Sequence, residues 1–317
     1  MRTRLGLQKD VDDHRSESFA NLIQSVLPFT SKKPDFLLIE NVKGFEVSRM
    51  HEILVHVLQD CGYWMREFLL SPTQIGIPNS RLRYYMIARR SHDFAFHPGS
   101  EFVTAIACLD STRLCPSCDK SVKSILQSPS ETRKRESKGT FEEQALDFFM
   151  SQEVSPHYFL SDKQLKYTQA LDVVTRNSQR SCCFTRGYGH MLQKTGSVLQ
   201  TNAEVEIEEV MSRVQEDPGS EESLAALRSL GLRFFTPREI ARLLCFPEDF
   251  DFPAEVTDGQ RYRLLGNSVN VRVISLMLLL LFSPDRSPGP LLRHMRLSPT
   301  QEAEIQGKSG RAGSLDP

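Results

Sequence analysis

The sequence has no surplus charge of either sign: across 317 residues, 39 Lys and Arg meet 40 Asp and Glu, a formal net charge of -1. Overall charge therefore marks neither a nucleic-acid nor a membrane-surface binder, and any such site has to come from local clustering. Long apolar runs are missing too. The longest, Val273 to Phe282, contains Ser275 and is too short for a bilayer, which needs roughly 20 residues. The cysteines, Cys61, Cys108, Cys115, Cys118, Cys182, Cys183 and Cys245, are odd in number and too sparse for a secreted disulfide scaffold, so they fit a reducing compartment. No apolar segment of a signal peptide follows Met1-Arg2-Thr3-Arg4. Glycine is scarce early, with only Gly6 before Gly44. At 39% hydrophobic residues the chain can still bury a sizeable core, as one large domain or two smaller ones. The expected location is the cytoplasm, with the nucleus left open.

What is present is organised around Phe36-Leu37-Leu38-Ile39-Glu40-Asn41-Val42-Lys43-Gly44-Phe45. An unbroken apolar run that stops at a carboxylate, an amide and a glycine reads as a buried parallel strand delivering polar groups to its carboxyl end, where open α/β sheets bind and react. A helix over Ser16 to Leu27 precedes it, and a second, about Met50 to Asp60, follows with Ile53, Leu54, Val57 and Leu58 on one face. Trp64 to Leu70 and Tyr84 to Ala88 read as strands, with Arg81 and Arg83 one residue apart just before the latter. The order α, β, α, β, loop, β suits half of a doubly wound sheet.

Beyond Arg90 the periodicity fades. Arg133-Lys134-Arg135 lies in a serine- and charge-rich stretch that reads as a solvated loop, and Cys115-Pro116-Ser117-Cys118 has no second pair or histidine at zinc-ligand spacing. Helical spacing returns over Asp162 to Val174. It leads to a glycine, aromatic and basic loop in which Arg180, Arg186, Tyr188 and Lys194 form a cluster suited to phosphates and unstacked bases. Thr236-Pro237-Arg238-Glu239 is a capping box with proline at the first helical position. Gly266-Asn267-Ser268-Val269 precedes an apolar helix ending at Phe282, and residues 283–317 read as a disordered tail.

Glu40-Asn41-Val42, Arg81-Leu82-Arg83 and Gly266-Asn267-Ser268-Val269 resemble, in order and spacing, three motifs of the cytosine-5 methyltransferases. Cys183-Phe184-Thr185 with Gly187-Tyr188-Gly189 is similar to the branch that methylates an anticodon-loop cytosine of aspartate tRNA. The resemblance covers about Thr3 to Phe282. It implies an α/β fold: part of a doubly wound, Rossmann-like methyltransferase sheet over 1–90, a target-recognition lobe over 91–235, and a return to the catalytic domain over 236–282. It also implies S-adenosylmethionine as methyl donor and tRNA as partner, with no membrane. Glu40 would bind N3 and the amino group of the base, Arg83 its O2, and Arg81 would support the pocket or a phosphate. Asn267, Ser268 and Val269 would close the pocket near the cofactor.

The family also carries a glycine-rich cofactor turn, an acidic ribose ligand and a Pro-Cys-Gln nucleophile loop, and this sequence shows none of them. The expectation is an amino-terminally shortened product lacking the first strands of the sheet, inactive alone, with cofactor binding weak or lost. A non-catalytic RNA-binding or regulatory fragment and a DNA cytosine-5 methyltransferase are the alternatives.

Overall fold

The computed structural model describes residues 16–94 and 145–282. Cys115, Cys118, Arg133 to Arg135 and the 283–317 tail lie outside them. The first helix, α1 (Glu17–Asn21), continues as a wider turn over Leu22–Val26. Strand β1 (Phe36–Val42), helix α2 (Arg49–Asp60), strand β2 (Trp64–Leu70) and strand β3 (Arg83–Arg89) complete the first unit. Ser48 caps α2 by accepting from the His51 amide at 3.1 Å.

The strand order is β1-β3-β2, with β3 antiparallel to both neighbours. This corrects the reading of Phe36 to Ile39 as a buried parallel strand. β1 pairs antiparallel with β3 alone among the described residues, and its ends are open, with Phe36 43% and Val42 58% exposed. The apolar run reflects cover on both faces, not the direction of a neighbour. Leu37 and Ile39 pack towards α1 and α2, while Leu38 packs on the opposite core. Helices on both sides of the sheet give the α/β layering expected.

A second sheet is formed by β4 (Asp172–Val174), β5 (Ser197–Gln200) and β6 (Leu232–Phe234), in that order. The helix expected over Asp162 to Val174 is one turn, α3 (Asp162–Leu165), after which Val173 and Val174 pair with Val198 and Leu199. Those β-branched residues fit a pleated, half-buried surface better than a helix. Helices α4 (Ile207–Glu216) and α5 (Glu221–Ser229) have no counterpart in the sequence reading. Helix α6 (Pro237–Leu243) starts at the expected capping box of Thr236 and Glu239.

Helices α7 (Asp258–Gly266) and α8 (Val271–Leu281) follow. Taken as one run, Asp258–Leu281 is apolar and long enough to cross a bilayer. The chain is not helical between Gly266 and Val271, however, and Val273, Leu276, Met277, Leu280 and Leu281 are buried within the protein. Those side chains join one apolar core that runs from Phe68, Tyr85 and Ile87 of the first sheet to Val198 and Phe234 of the second.

Candidate active site at the joint of the two sheets

Four separate segments converge on one end of β1 and β3. Glu40 and Tyr85 are cross-strand partners, and alternation places Leu38, Glu40, Arg83 and Tyr85 on the sheet face towards the second unit. The Glu40 carboxylate is half-buried, 3.5 Å from Arg83 Nε. Burial raises its pKa above the ordinary 4.5, with Arg83 and then Arg81 pulling the other way. Neutral Glu40 is therefore more accessible here than for a solvated glutamate.

Arg83 also donates to Leu82 O at 2.9 Å and approaches Cys183 Sγ at 3.6 Å. Arg81 is only 4% exposed: Nη1 meets Cys183 Sγ at 3.3 Å and Nη2 donates to the Ser268 carbonyl, while its Nε is buried without a hydrogen-bond partner among the described residues. The two arginines expected from sequence are thus brought together with Glu40, Cys183 and Ser268. The convergence on Cys183 has no sequence signal beyond its place in the Cys183-Phe184-Thr185 motif, because the contact spans about a hundred residues of chain.

The joint itself is buried and hydrogen-bonded. Asn79 Nδ2 donates to Ser181 Oγ and to Cys182 O, each at 3.1 Å, and Ser181 Oγ donates to Pro78 O at 2.7 Å. Gly266 closes the third side, its open face filled by the Thr185 and Arg186 backbone.

The basic cluster is only partly as expected. Arg180, Arg186 and Lys194 are exposed, with Arg180 3.5 Å from Asp172. Arg186 and Lys194 are neighbours because Thr185 N donates to Thr195 O at 2.8 Å. Tyr188, expected to stack on RNA, is instead a core residue. It is 2% exposed, donates to Ser197 O at 2.7 Å and accepts from Phe235 N at 2.9 Å. A buried phenol needs such partners, and having both leaves it no access to a base.

Asn267 is exposed and Val269 half-buried, while the Ser268 carbonyl is taken by Arg81. With the Gly266 face also filled, these residues do not by themselves make a cradle for S-adenosylmethionine. Among the described residues no group of three metal-ligating side chains occurs.

Glu40 carries a pH signature. Because its folded pKa is raised, the folded state holds the proton more tightly than the unfolded state, and stability falls as pH rises from about 4.5 through the raised value. Glu40→Gln removes that cost. Its melting temperature should exceed wild type at pH 7 to 8, with the gain vanishing towards pH 4. A difference independent of pH in thermal scans would refute this.

The family profile described as C-5 cytosine-specific DNA methylase matches residues 4–279. The tRNA (cytosine(38)-C(5))-methyltransferase of Bos taurus is 39% identical over 309 residues, covering 88% of this chain and 78% of that protein. The Homo sapiens protein of that name is 37% identical over 310 residues, covering 88% and 79%. Among solved structures, a variant of Spodoptera frugiperda DNMT2 aligns with TM-score 0.69 at 32% identity, covering 89% of this chain and 76% of that one. Schizosaccharomyces pombe Dnmt2 methyltransferase aligns with TM-score 0.64 at 34% identity, covering 84% and 72%. A profile spanning residues 4–279, likeness over more than three quarters of the two tRNA methyltransferases, and a glutamate and two arginines gathered at one sheet end lead to one assignment: the chain belongs to the C-5 cytosine-specific methyltransferase family.

Proposed function

We propose that this chain supplies the base-binding and RNA-facing part of an S-adenosylmethionine-dependent tRNA cytosine-5 methyltransferase acting on an anticodon-loop cytosine of aspartate tRNA. The Glu40 and Arg83 pair at the ends of β1 and β3 carries the reading. A cytosine edge presents a ring acceptor, an amino donor and a carbonyl acceptor, and a half-buried carboxyl beside a guanidinium answers all three. Such a pocket admits a base only after it leaves its stack. Arg81 acts as a strut that sets the arginine-bearing loop against Cys183 and Ser268. The family draws its methyl group from S-adenosylmethionine; in this chain Asn267, Ser268 and Val269 would border it on one side, so binding by the chain alone is weak.

The test is binding of an aspartate tRNA anticodon stem-loop with cytosine or uridine at the target position. The cytosine form should bind about tenfold more tightly, since a site built to pair the amino group leaves buried polar groups unpaired against uridine. Arg186→Ala with Lys194→Ala should weaken both forms alike. For two phosphate contacts it should lower the slope of log affinity against log salt by about 1.4. Equal affinity for the two RNAs, or preference for duplex DNA, would sink the proposal.

Methyl transfer is a separate expectation. Cytosine-5 chemistry needs a thiolate to add to the ring. Cys61 sits beyond α2 at the opposite end of the sheet from Glu40, roughly 15 Å along the strands. Burial and then Asp172 push the Cys182 thiol up to about 11, and burial raises Cys245. Cys183 Sγ is engaged by Arg81, Arg83 and the Phe184 carbonyl, and Cys108, Cys115 and Cys118 lie outside the described residues. The purified 317-residue polypeptide should transfer no labelled methyl group to tRNA. Incorporation that disappears in Cys183→Ala or Cys61→Ala would contradict this.

A further inference from the structure

The search outside the assigned residues leads to Tyr85. Its side chain is 1% exposed, yet among the described residues its hydroxyl makes no hydrogen bond, in contrast to Tyr84, Tyr158, Tyr188 and Tyr262, whose hydroxyls donate to Glu67, Asp258, Ser197 and Phe235. The hydroxyl oxygen is not one of the fully buried polar atoms left without a partner, so the little surface that Tyr85 keeps includes that oxygen, and a nearly buried phenol open at this one point needs an explanation. Its position supplies one. Tyr85 lies directly across from Glu40 in the strand register and on the same sheet face as Arg83. The groups that act on it electrostatically are Glu40, Arg81 and Arg83, all members of the candidate site.

We propose that Tyr85 is a further base-contacting residue, whose hydroxyl is the third polar group offered to the target cytosine beside Glu40 and Arg83. This rests on the cytosine-binding reading of the site. A hydroxyl both donates and accepts, so it can take the hydrogen of the exocyclic amino group that one carboxylate cannot. Uridine has a carbonyl at that position, which the neighbouring Glu40 carboxylate repels, so the base does not settle within reach of the hydroxyl and the contact favours cytosine. Burial first, and Glu40 next, raise the phenol's pKa, which keeps the hydroxyl protonated and uncharged through the working pH range.

Tyr85→Phe keeps the ring and removes only the hydroxyl. In the full 317-residue chain, its affinity for the cytosine stem-loop should fall about three- to tenfold, the size of one net hydrogen bond. Affinity for the uridine stem-loop and the melting temperature should be unchanged. Wild-type preference for cytosine in Tyr85→Phe would overturn the proposal, as would equal weakening of both RNAs or a lowered melting temperature, which mark a packing role. Glu40→Gln separates the two levels. If it abolishes the cytosine preference while Tyr85→Phe does not, only the Tyr85 assignment fails. If wild type shows no preference and Glu40→Gln changes nothing, the reading of the site falls and Tyr85 falls with it.

Discussion

Glu239→Ala should cost about 3 to 5 kcal/mol, a large part of the roughly 5 to 15 kcal/mol that holds an ordinary domain together. Glu239 is 0% exposed and Arg233 1%. They meet through two parallel hydrogen bonds of 2.8 Å, and the same carboxylate accepts from Thr236 N at 2.8 Å and Ser151 N at 2.9 Å. Removing the carboxylate leaves a guanidinium and two backbone amides buried without it, and a charge stranded in a core is far costlier than the pair was valuable. Replacing both residues by Met should therefore be milder than Glu239→Ala alone. Urea unfolding followed at unchanged m-value reads both effects. A loss under about 1 kcal/mol in the single variant, or a double variant worse than the single, would show that the pair is not isolated from solvent. Function is touched as well. Phe235, between Arg233 and Glu239, donates to Tyr188 OH and accepts from Tyr262 OH, so the pair anchors the point where the 185–190 loop meets α7.

That pair also shows where sequence reasoning stops. Thr236, Pro237 and Glu239 state a capping box through local spacing, and the box is there. The box accounts for Glu239 fully, so nothing points onward to Arg233, whose own β6 is only three residues long. Strands β1, β2 and β3 were legible because apolar side chains cluster in runs of strand length. Their antiparallel pairing was not, since cover on both faces produces the same run whichever way a neighbour points. In α4 the apolar positions Ile207, Val210, Met211 and Val214 have helical spacing, but Glu204, Glu206, Glu208 and Glu209 crowd the same stretch and hide it. Tyr188 looked like a stacking platform because glycines and basic residues flank it. Gly189 serves packing instead: a Cβ there would stand 2.7 Å from the Tyr262 ring. At the site, Glu40, Arg81 and Arg83 are visible in motifs. The unpartnered hydroxyl of Tyr85 becomes visible only when the fold shows which phenols have partners.

Gly266→Ala should damage both stability and RNA binding. A Cβ at that position would lie 2.2 Å from Arg186 N and 2.3 Å from the Thr185 carbonyl carbon. Both obstacles are backbone, so no side-chain rotation relieves them and the 185–186 segment must move. Overpacking of this kind costs about 1 to 3 kcal/mol, and the glycine's helical position returns a little, since Ala is favoured over Gly by up to about 1 kcal/mol there. The clash should win, because the shift also strains the Thr185 to Thr195 bond and the Gly189 contact with Tyr262. Arg186 then leaves its place beside Lys194, and Cys183, two residues before Thr185, is pulled from Arg81 and Arg83. Gly266→Ala should therefore lower the melting temperature and weaken binding of the cytosine stem-loop, and it should also erode the preference over uridine. Arg186→Ala, which touches only the surface, should leave that preference intact. A Gly266→Ala chain with wild-type stability and wild-type discrimination would mean that α7 and the 183–187 loop slide past each other freely, and that the joint between the two sheets does not set the pocket.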